Sequence, residues 1–275
     1  MMNRLEVYPS QLPAIFVDLD GTMLNDDGVV DDESAWLLKE LSSRDIRVVV
    51  ATARSPMGAL EAIENLTFDP ICICLNGALV IDLQRDEIIY ESKLPNSSLK
   101  RIVSTIEGAD LGKHYLALQH RNSFIIEEGF MDGSSFEIPH VVGEVRRYEE
   151  EPSKLILRTE SHSSIELHDI FIDSLAKESF LSTSGEDWLD FSPANISKAS
   201  GAREVSNYYD IDISKCAAIG NDLNDLELLR TVGNGYAVTN ARSKLFADPQ
   251  VRRLASDNNS KPLFEVVEKH SINIQ

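Results

Sequence analysis

A chain of 275 residues, 43% hydrophobic and 26% charged, has the composition of an ordinary folded protein and is long enough for a large α/β domain carrying a smaller one. Its formal charge of −19, from 26 basic against 45 acidic side chains, repels polyanions, so neither nucleic acid nor an anionic membrane is expected as a partner. Cys72, Cys74 and Cys216 make neither a zinc pattern nor an even disulfide set, residues 1–13 lack the apolar run of a signal peptide, and no apolar stretch approaches the ~20 residues that span a bilayer; a cytoplasmic protein is expected.

Ala14-Ile15-Phe16-Val17 is a continuous apolar run stopped abruptly by acidic residues and Gly21, the pattern of a strand buried on both faces at the centre of a parallel sheet. Asp31 or Asp32 can cap a helix running to about residue 43, with Trp36, Leu37, Leu38 and Leu41 on its buried face. Residues 47–51 form a second strand, Pro56 opens a helix through residue 66, and residues 71–75 read as a third buried strand. Alternation of this kind implies right-handed crossovers and a doubly wound sheet.

From about Asp82 the character changes to strands of alternating polarity, such as 115–119 and 123–127, mixed with helices near 97–107 and 163–176. Around residues 193–198 the α/β rhythm returns, with a helix through Tyr208, a strand at 216–219, a helix at 223–231 and a short strand at 235–238. The fold class expected is α/β, a doubly wound parallel-sheet (Rossmann-like) core from residues 1–83 and 194–275, interrupted by an α+β insert over 84–193.

Four polar segments follow these strands, where ligand sites of open α/β sheets collect. In Asp18-Leu19-Asp20-Gly21-Thr22, Gly21 permits a turn that lets Asp18 and Asp20 approach one small ligand volume, one carboxylate to attack phosphorus and the other to move protons. In Ala51-Thr52-Ala53-Arg54, Thr52 offers a hydroxyl and a backbone N–H beside a helix N-terminus; the blander role is a helix cap. Lys198 lies near the start of a helix, against the helix dipole, which hints at a local anion holding it, although an ordinary surface lysine is the commoner case. Gly220-Asn221-Asp222-Leu223-Asn224-Asp225 supplies the hard oxygens magnesium prefers, or else simply caps a helix.

Taken together, these segments resemble the motifs of the haloacid dehalogenase (HAD) superfamily, in particular its Cof-type phosphatases with a large α/β cap. Asn76-Gly77 and Asn240-Ala241 also look family-typical, whereas the insert matches only in length and position. The resemblance implies an enzyme, a phosphomonoester hydrolase acting on a small phosphorylated metabolite such as a sugar phosphate or phosphorylated cofactor. It implies Asp18 as nucleophile, Asp20 as general acid/base, and Thr52, Lys198 and Asn224 as phosphate-binding residues. Mg2+ would be held by Asp18, Asp20 and the Asn221/Asp222 region with Asp225 in support, and 84–193 would be the cap that sets specificity. Alternatives are a phosphomutase of similar architecture and a non-catalytic metabolite-binding protein of the same fold; no G-x-G-x-x-G follows the first strand to favour a dinucleotide enzyme.

Two departures stand out. Asn221 occupies the position where the family usually has an aspartate that ligates the metal, so either its amide oxygen ligates, or Asp222 reaches the metal, or affinity is weakened. Ala53 stands where glycine is common.

Overall fold

The computed structural model describes residues 12–68, 70–83, 85–131, 139–184, 186–272 and 274. Its first sheet has eight strands, in spatial order β14 (Val251–Arg253), β13 (Asn234–Ala237), β12 (Ala217–Gly220), β1 (Ala14–Val17), β2 (Arg47–Ala51), β3 (Ile71–Cys74), β4 (Leu79–Asp82) and β5 (Glu87–Glu91). Pairing is parallel from β14 through β3 and antiparallel from β3 to β5. β1 is central because all four of its residues are apolar and both faces are covered. Ile15 and Val17 point into a core with Leu37, Leu38 and Leu41 of α1 (Asp32–Ser43) and Val266 of α8 (Pro262–Lys269). Ala14 and Phe16 point the other way, to Ala199, Ala202 and Val205 of α5 (Lys198–Tyr209) and Leu228 of α6 (Leu226–Thr231).

The second sheet lies within the interrupted stretch, in order β10 (Ser179–Ser184), β11 (Trp188–Pro193), β9 (Lys154–Thr159), β6 (His114–His120), β7 (Ser123–Ile126) and β8 (His140–Val142). It is antiparallel except for the β7–β8 pair. Two amphipathic helices, α3 (Asn96–Glu107) and α4 (Ser164–Leu175), cover one face through a core of Leu116, Leu118, Leu155, Leu157, Leu189 and Phe191. Ser163 and Glu166 close a capping box at the start of α4.

Several elements differ from the sequence reading. Of the two caps the sequence allows for α1, Asp31 is the one used, accepting from the N–H groups of Glu33 and Ser34. Trp36 is half-exposed, one position off the stripe made by Leu37, Leu38 and Leu41. The helix from Pro56 ends at Ala62 and not at 66, because the chain unwinds into a turn that returns Phe68 to the core. Residues 87–91, expected in the insert, pair with β4 as the outer strand of the first sheet, where an edge strand is only half-buried and so lacks the fully apolar run of the central strands. Residues 223–225 form a tight turn ahead of α6, and β14 and α8 were not anticipated.

Candidate active site

Asp18 follows β1 at its carboxyl end, its N–H donating to the Ile219 carbonyl of β12 at 3.0 Å. The chain then turns back on itself: the N–H groups of Met23 and Leu24 reach the carbonyls of Asp18 and Leu19 at 3.2 and 2.9 Å, through Gly21 at φ +71°. A Cβ at residue 21 would stand 2.3 Å from Asn221 Nδ2, so the two loops meet where only glycine fits.

Asp18 is 5% exposed, and both of its carboxylate oxygens accept a hydrogen bond. Oδ2 accepts from Thr22 Oγ1 at 2.9 Å and Oδ1 from Lys198 Nζ at 2.6 Å. The same ammonium reaches Asp225 Oδ1 at 2.6 Å, with Lys198 only 1% exposed and Asp225 0%. A lysine at the first turn of α5 is therefore held by two anions, and Ser197, with Ser200, caps the helix end. Burial, and next the Asp225 charge, push the Asp18 carboxyl up to about 7, against the opposing pull of Lys198 and Thr22. Burial lowers the Lys198 ammonium, but the paired charges of Asp18 and Asp225 outweigh it and leave its pKa above the ordinary lysine value.

Asp225 also organises its own loop. Its Oδ2 accepts from the N–H groups of Asn221 and Asp222 at 2.9 and 3.0 Å, which uses both lone pairs of that oxygen. Asn221 is thereby set with its amide against Gly21, whereas Asp222 turns outward, accepting from the Leu223 N–H at 2.7 Å and lying 3.4 Å from Arg242 Nε. Asn240 Nδ2 donates to the Gly21 carbonyl at 2.9 Å and supports the turn.

Asp20 does not share the Asp18 pocket. It is exposed, its side chain 56% accessible, and it is held by Arg54 in a two-pronged pair, Nε to Oδ2 at 2.9 Å and Nη2 to Oδ1 at 2.6 Å. Thr52 is buried, and its N–H is spent on the Ile73 carbonyl at 2.8 Å, leaving only the hydroxyl, which accepts from the Arg54 N–H at 3.1 Å. The helix end after it, α2 (Pro56–Ala62), is also occupied: Ser55 Oγ takes the Gly58 N–H and Asn122 Oδ1, from the β6–β7 turn, takes the Met57 N–H. Asn224 Nδ2 donates to Asn76 Oδ1 at 3.0 Å, and Asn76, at φ +55°, has its N–H on the Thr52 carbonyl at 3.1 Å.

Asp18, Lys198, Asp225, Thr52, Asn224 and Asn221 are thus tied together by side chains and loops from β1, β2, β12 and α5. Thr22, Arg54 and Asn76 were not singled out as site residues, although all three stand in the motif segments. Among the described residues no three His, Cys, Asp or Glu side chains form a metal cluster. The residues nonetheless fit a magnesium ion, which takes hard oxygens and seldom more than one or two carboxylates. Two buried carboxylates against one ammonium leave an excess negative charge, and each Asp18 oxygen retains acceptor capacity.

A family model described as haloacid dehalogenase-like hydrolase matches residues 15–261. A Haemophilus influenzae protein provisionally named a phosphatase is 27% identical over 267 residues, 93% of this chain and 97% of its own. The HMP-PP phosphatase of an Enterobacter species is 25% identical over 244 residues, 84% of this chain and 85% of that one. A solved phosphatase of the haloalkanoate (HAD) superfamily from Bacteroides thetaiotaomicron superposes with a TM-score of 0.79 at 20% identity, over 99% of both chains, a likeness of fold. With a match that runs from β1 to Lys261 and takes in every residue of the Asp18 site, the chain belongs to the haloacid dehalogenase-like hydrolase family.

Proposed function

We propose that this hydrolase is a magnesium-dependent phosphatase that releases phosphate from a small phosphorylated metabolite through an aspartyl-phosphate on Asp18. The observation that carries the reading is the buried Asp18 carboxylate at a strand end, in contact with Lys198, with an exposed second carboxylate two residues on in the same turn. The family and its phosphatase-named relatives support it.

Magnesium would be held by Asp18, the Asp20 main chain and Asn221, with Asp225 fixing the Asn221 loop; Asp222, turned toward Arg242, is the weaker candidate. When bound, the ion offsets the repulsion between the Asp18 carboxylate and the phosphate dianion. Asp18 attacks phosphorus in line, the bond from phosphorus to the leaving oxygen breaks, and that oxygen takes a proton from Asp20. Lys198 and the Thr52 hydroxyl stabilise charge on the equatorial oxygens, with Asn224 oriented by Asn76. Water then attacks the acyl phosphate while Asp20 accepts its proton, freeing inorganic phosphate and restoring the Asp18 carboxylate. The second sheet, which touches the core at Asn76 through Ser182 and at Met57 through Asn122, would meet the leaving group.

The test is phosphate release from p-nitrophenyl phosphate and a panel of sugar and cofactor phosphates, with and without magnesium, by the native chain and by Asp18→Asn. Metal-dependent turnover that disappears in the variant is expected. Turnover that survives in Asp18→Asn would remove the aspartyl-phosphate route.

A further inference from the structure

The first turn of α2 stands between the second sheet and the Asp20 carboxylate. Of its leading residues, Pro56 has no N–H, Ser55 Oγ takes that of Gly58 at 3.1 Å, and the Ser55 carbonyl takes that of Ala59 at 2.8 Å. Met57 is left, and the acceptor for its N–H is Asn122 Oδ1 at 2.8 Å, 65 residues on and in the other sheet. The Gly58 carbonyl, in the same turn, accepts from Arg54 Nη1 at 3.2 Å, and Arg54 in its turn grips Asp20 through Nε and Nη2. Hydrogen bonds and one helical turn therefore connect Asn122 to Asp20 without a break.

The turn that carries Asn122 is built to hold its shape. Arg121 sits at φ +49°, a left-handed conformation that long side chains seldom adopt unless their surroundings impose it. Here they do: its N–H donates to buried Ser153 Oγ at 3.1 Å, its carbonyl accepts from buried Gln119 Nε2 at 2.8 Å, and Glu91 clasps its guanidinium. Asn122 itself is exposed, so its one bond to the Met57 N–H adds little to the stability of the fold. What that bond does fix is the turn on which Arg54 leans. Proton transfer to a leaving oxygen needs the acid within hydrogen-bond reach, and an exposed carboxylate meets that condition only while something holds its rotamer.

We propose that Asn122 is a positioning residue for Asp20: by holding the Met57 N–H it fixes the first turn of α2 and with it Arg54, which ties alignment of the general acid to the seating of the second sheet on the first. This rests on the phosphatase reading above. Without the Asn122 bond the Gly58 carbonyl is a looser anchor for Arg54, and Asp20 samples more rotamers. Transfer to a leaving group that needs a proton slows, while one that needs none departs as before.

The experiment measures kcat and KM on glycerol and hexose phosphates and on p-nitrophenyl phosphate, together with the thermal transition. The proteins compared are the native chain, Asn122→Ala, Asn122→Asp, Arg54→Ala and Asn122→Ala/Arg54→Ala. Asn122→Ala is expected to lower kcat on the alkyl phosphates at least ~3-fold, with KM, kcat on p-nitrophenyl phosphate and the melting temperature scarcely changed. Asn122→Asp keeps the acceptor oxygen and should bring the alkyl rate back to within about twofold of native. The double variant should lose no more than Arg54→Ala alone, because both changes cut the same connection. A smaller loss in Asn122→Ala, an equal loss on p-nitrophenyl phosphate, no recovery in Asn122→Asp, or a double variant showing the product of the two single losses would overturn the proposal. So would a native chain that turns over p-nitrophenyl phosphate and no alkyl phosphate; in each of these cases the Asp18-dependent release of phosphate still stands. Absence of Asp18-dependent release from any substrate removes the phosphatase reading itself.

Discussion

Lys198 Nζ stands 2.6 Å from Asp18 Oδ1 in a site closed to solvent, and the same ammonium holds Asp225 at the same distance. One cation thus bridges the strand end proposed for catalysis and the loop proposed for metal. Lys198→Met strands two carboxylates facing each other, and removing one partner of a buried pair costs about 3–5 kcal/mol. The urea midpoint of the metal-free variant is expected to fall accordingly, with part of the loss restored by magnesium. Phosphate release should drop by about 10²–10³, the scale for loss of a single transition-state donor.

Asn221 and Asp222 separate cleanly by orientation. Asn221 lies against Gly21 while Asp222 caps the next turn and faces Arg242. Asn221→Ala should raise the magnesium concentration for half-maximal activity at least ~10-fold, and Asn221→Asp should lower it, because an anionic oxygen binds a hard cation more strongly. Asp222→Ala should leave that concentration within about twofold. A magnesium titration of activity checks all three; a large effect of Asp222 alone would exchange the two assignments.

Arg54 is what fixes the exposed Asp20 carboxylate. Freed from it, the carboxylate samples several rotamers, and proton transfer to a poor leaving group suffers first. Arg54→Ala is expected to cut turnover of alkyl phosphates by about 10- to 100-fold and that of p-nitrophenyl phosphate, whose leaving group needs little protonation, far less. The pair is partly exposed, so the melting temperature should scarcely move.

Glu91, at the end of β5, is clasped by Arg121 from the β6–β7 turn at 2.9 and 2.7 Å, which ties the edge of the first sheet to the second. The Arg121 hydrogen bonds hold the Glu91 carboxyl below its ordinary value, against opposing burial. A depressed carboxyl stabilises the fold above the unfolded glutamate pKa of about 4.3 and loses that contribution as pH falls through its folded value. Because Arg121 is half-exposed, the contribution should be no more than ~1 kcal/mol. Glu91→Gln should therefore be slightly less stable than native between pH 5 and pH 7 on thermal denaturation, with the difference fading by about pH 3.

Much of this architecture is a local property of the chain. The runs at 14–17, 48–51 and 71–74 are apolar throughout, and such runs have few ways to escape water except as strands buried on both faces. The polar segments after them then fall at strand ends wherever the crossovers place them. The half-exposed strands were harder to assign, because a short run such as 87–91, apolar in the middle and acidic at both ends, is compatible with the edge of either sheet and only pairing with β4 chooses.

The sequence alone therefore determined the sheet's central strands and the position of Asp18, Thr52, Lys198 and the 220–225 loop at its carboxyl ends. Tertiary structure decided their chemical state. Lys198 is 180 residues from Asp18 along the chain; its place against the helix dipole hints at an anion, but not at burial between two carboxylates. Nor does anything local show Asn221 facing inward while Asp222 faces out, the Thr52 N–H being spent on β3, or Arg54 taking Asp20. Secondary structure follows from periodicity that each segment carries itself, whereas burial, hydrogen-bond partners and charge depend on which distant segments fold against it.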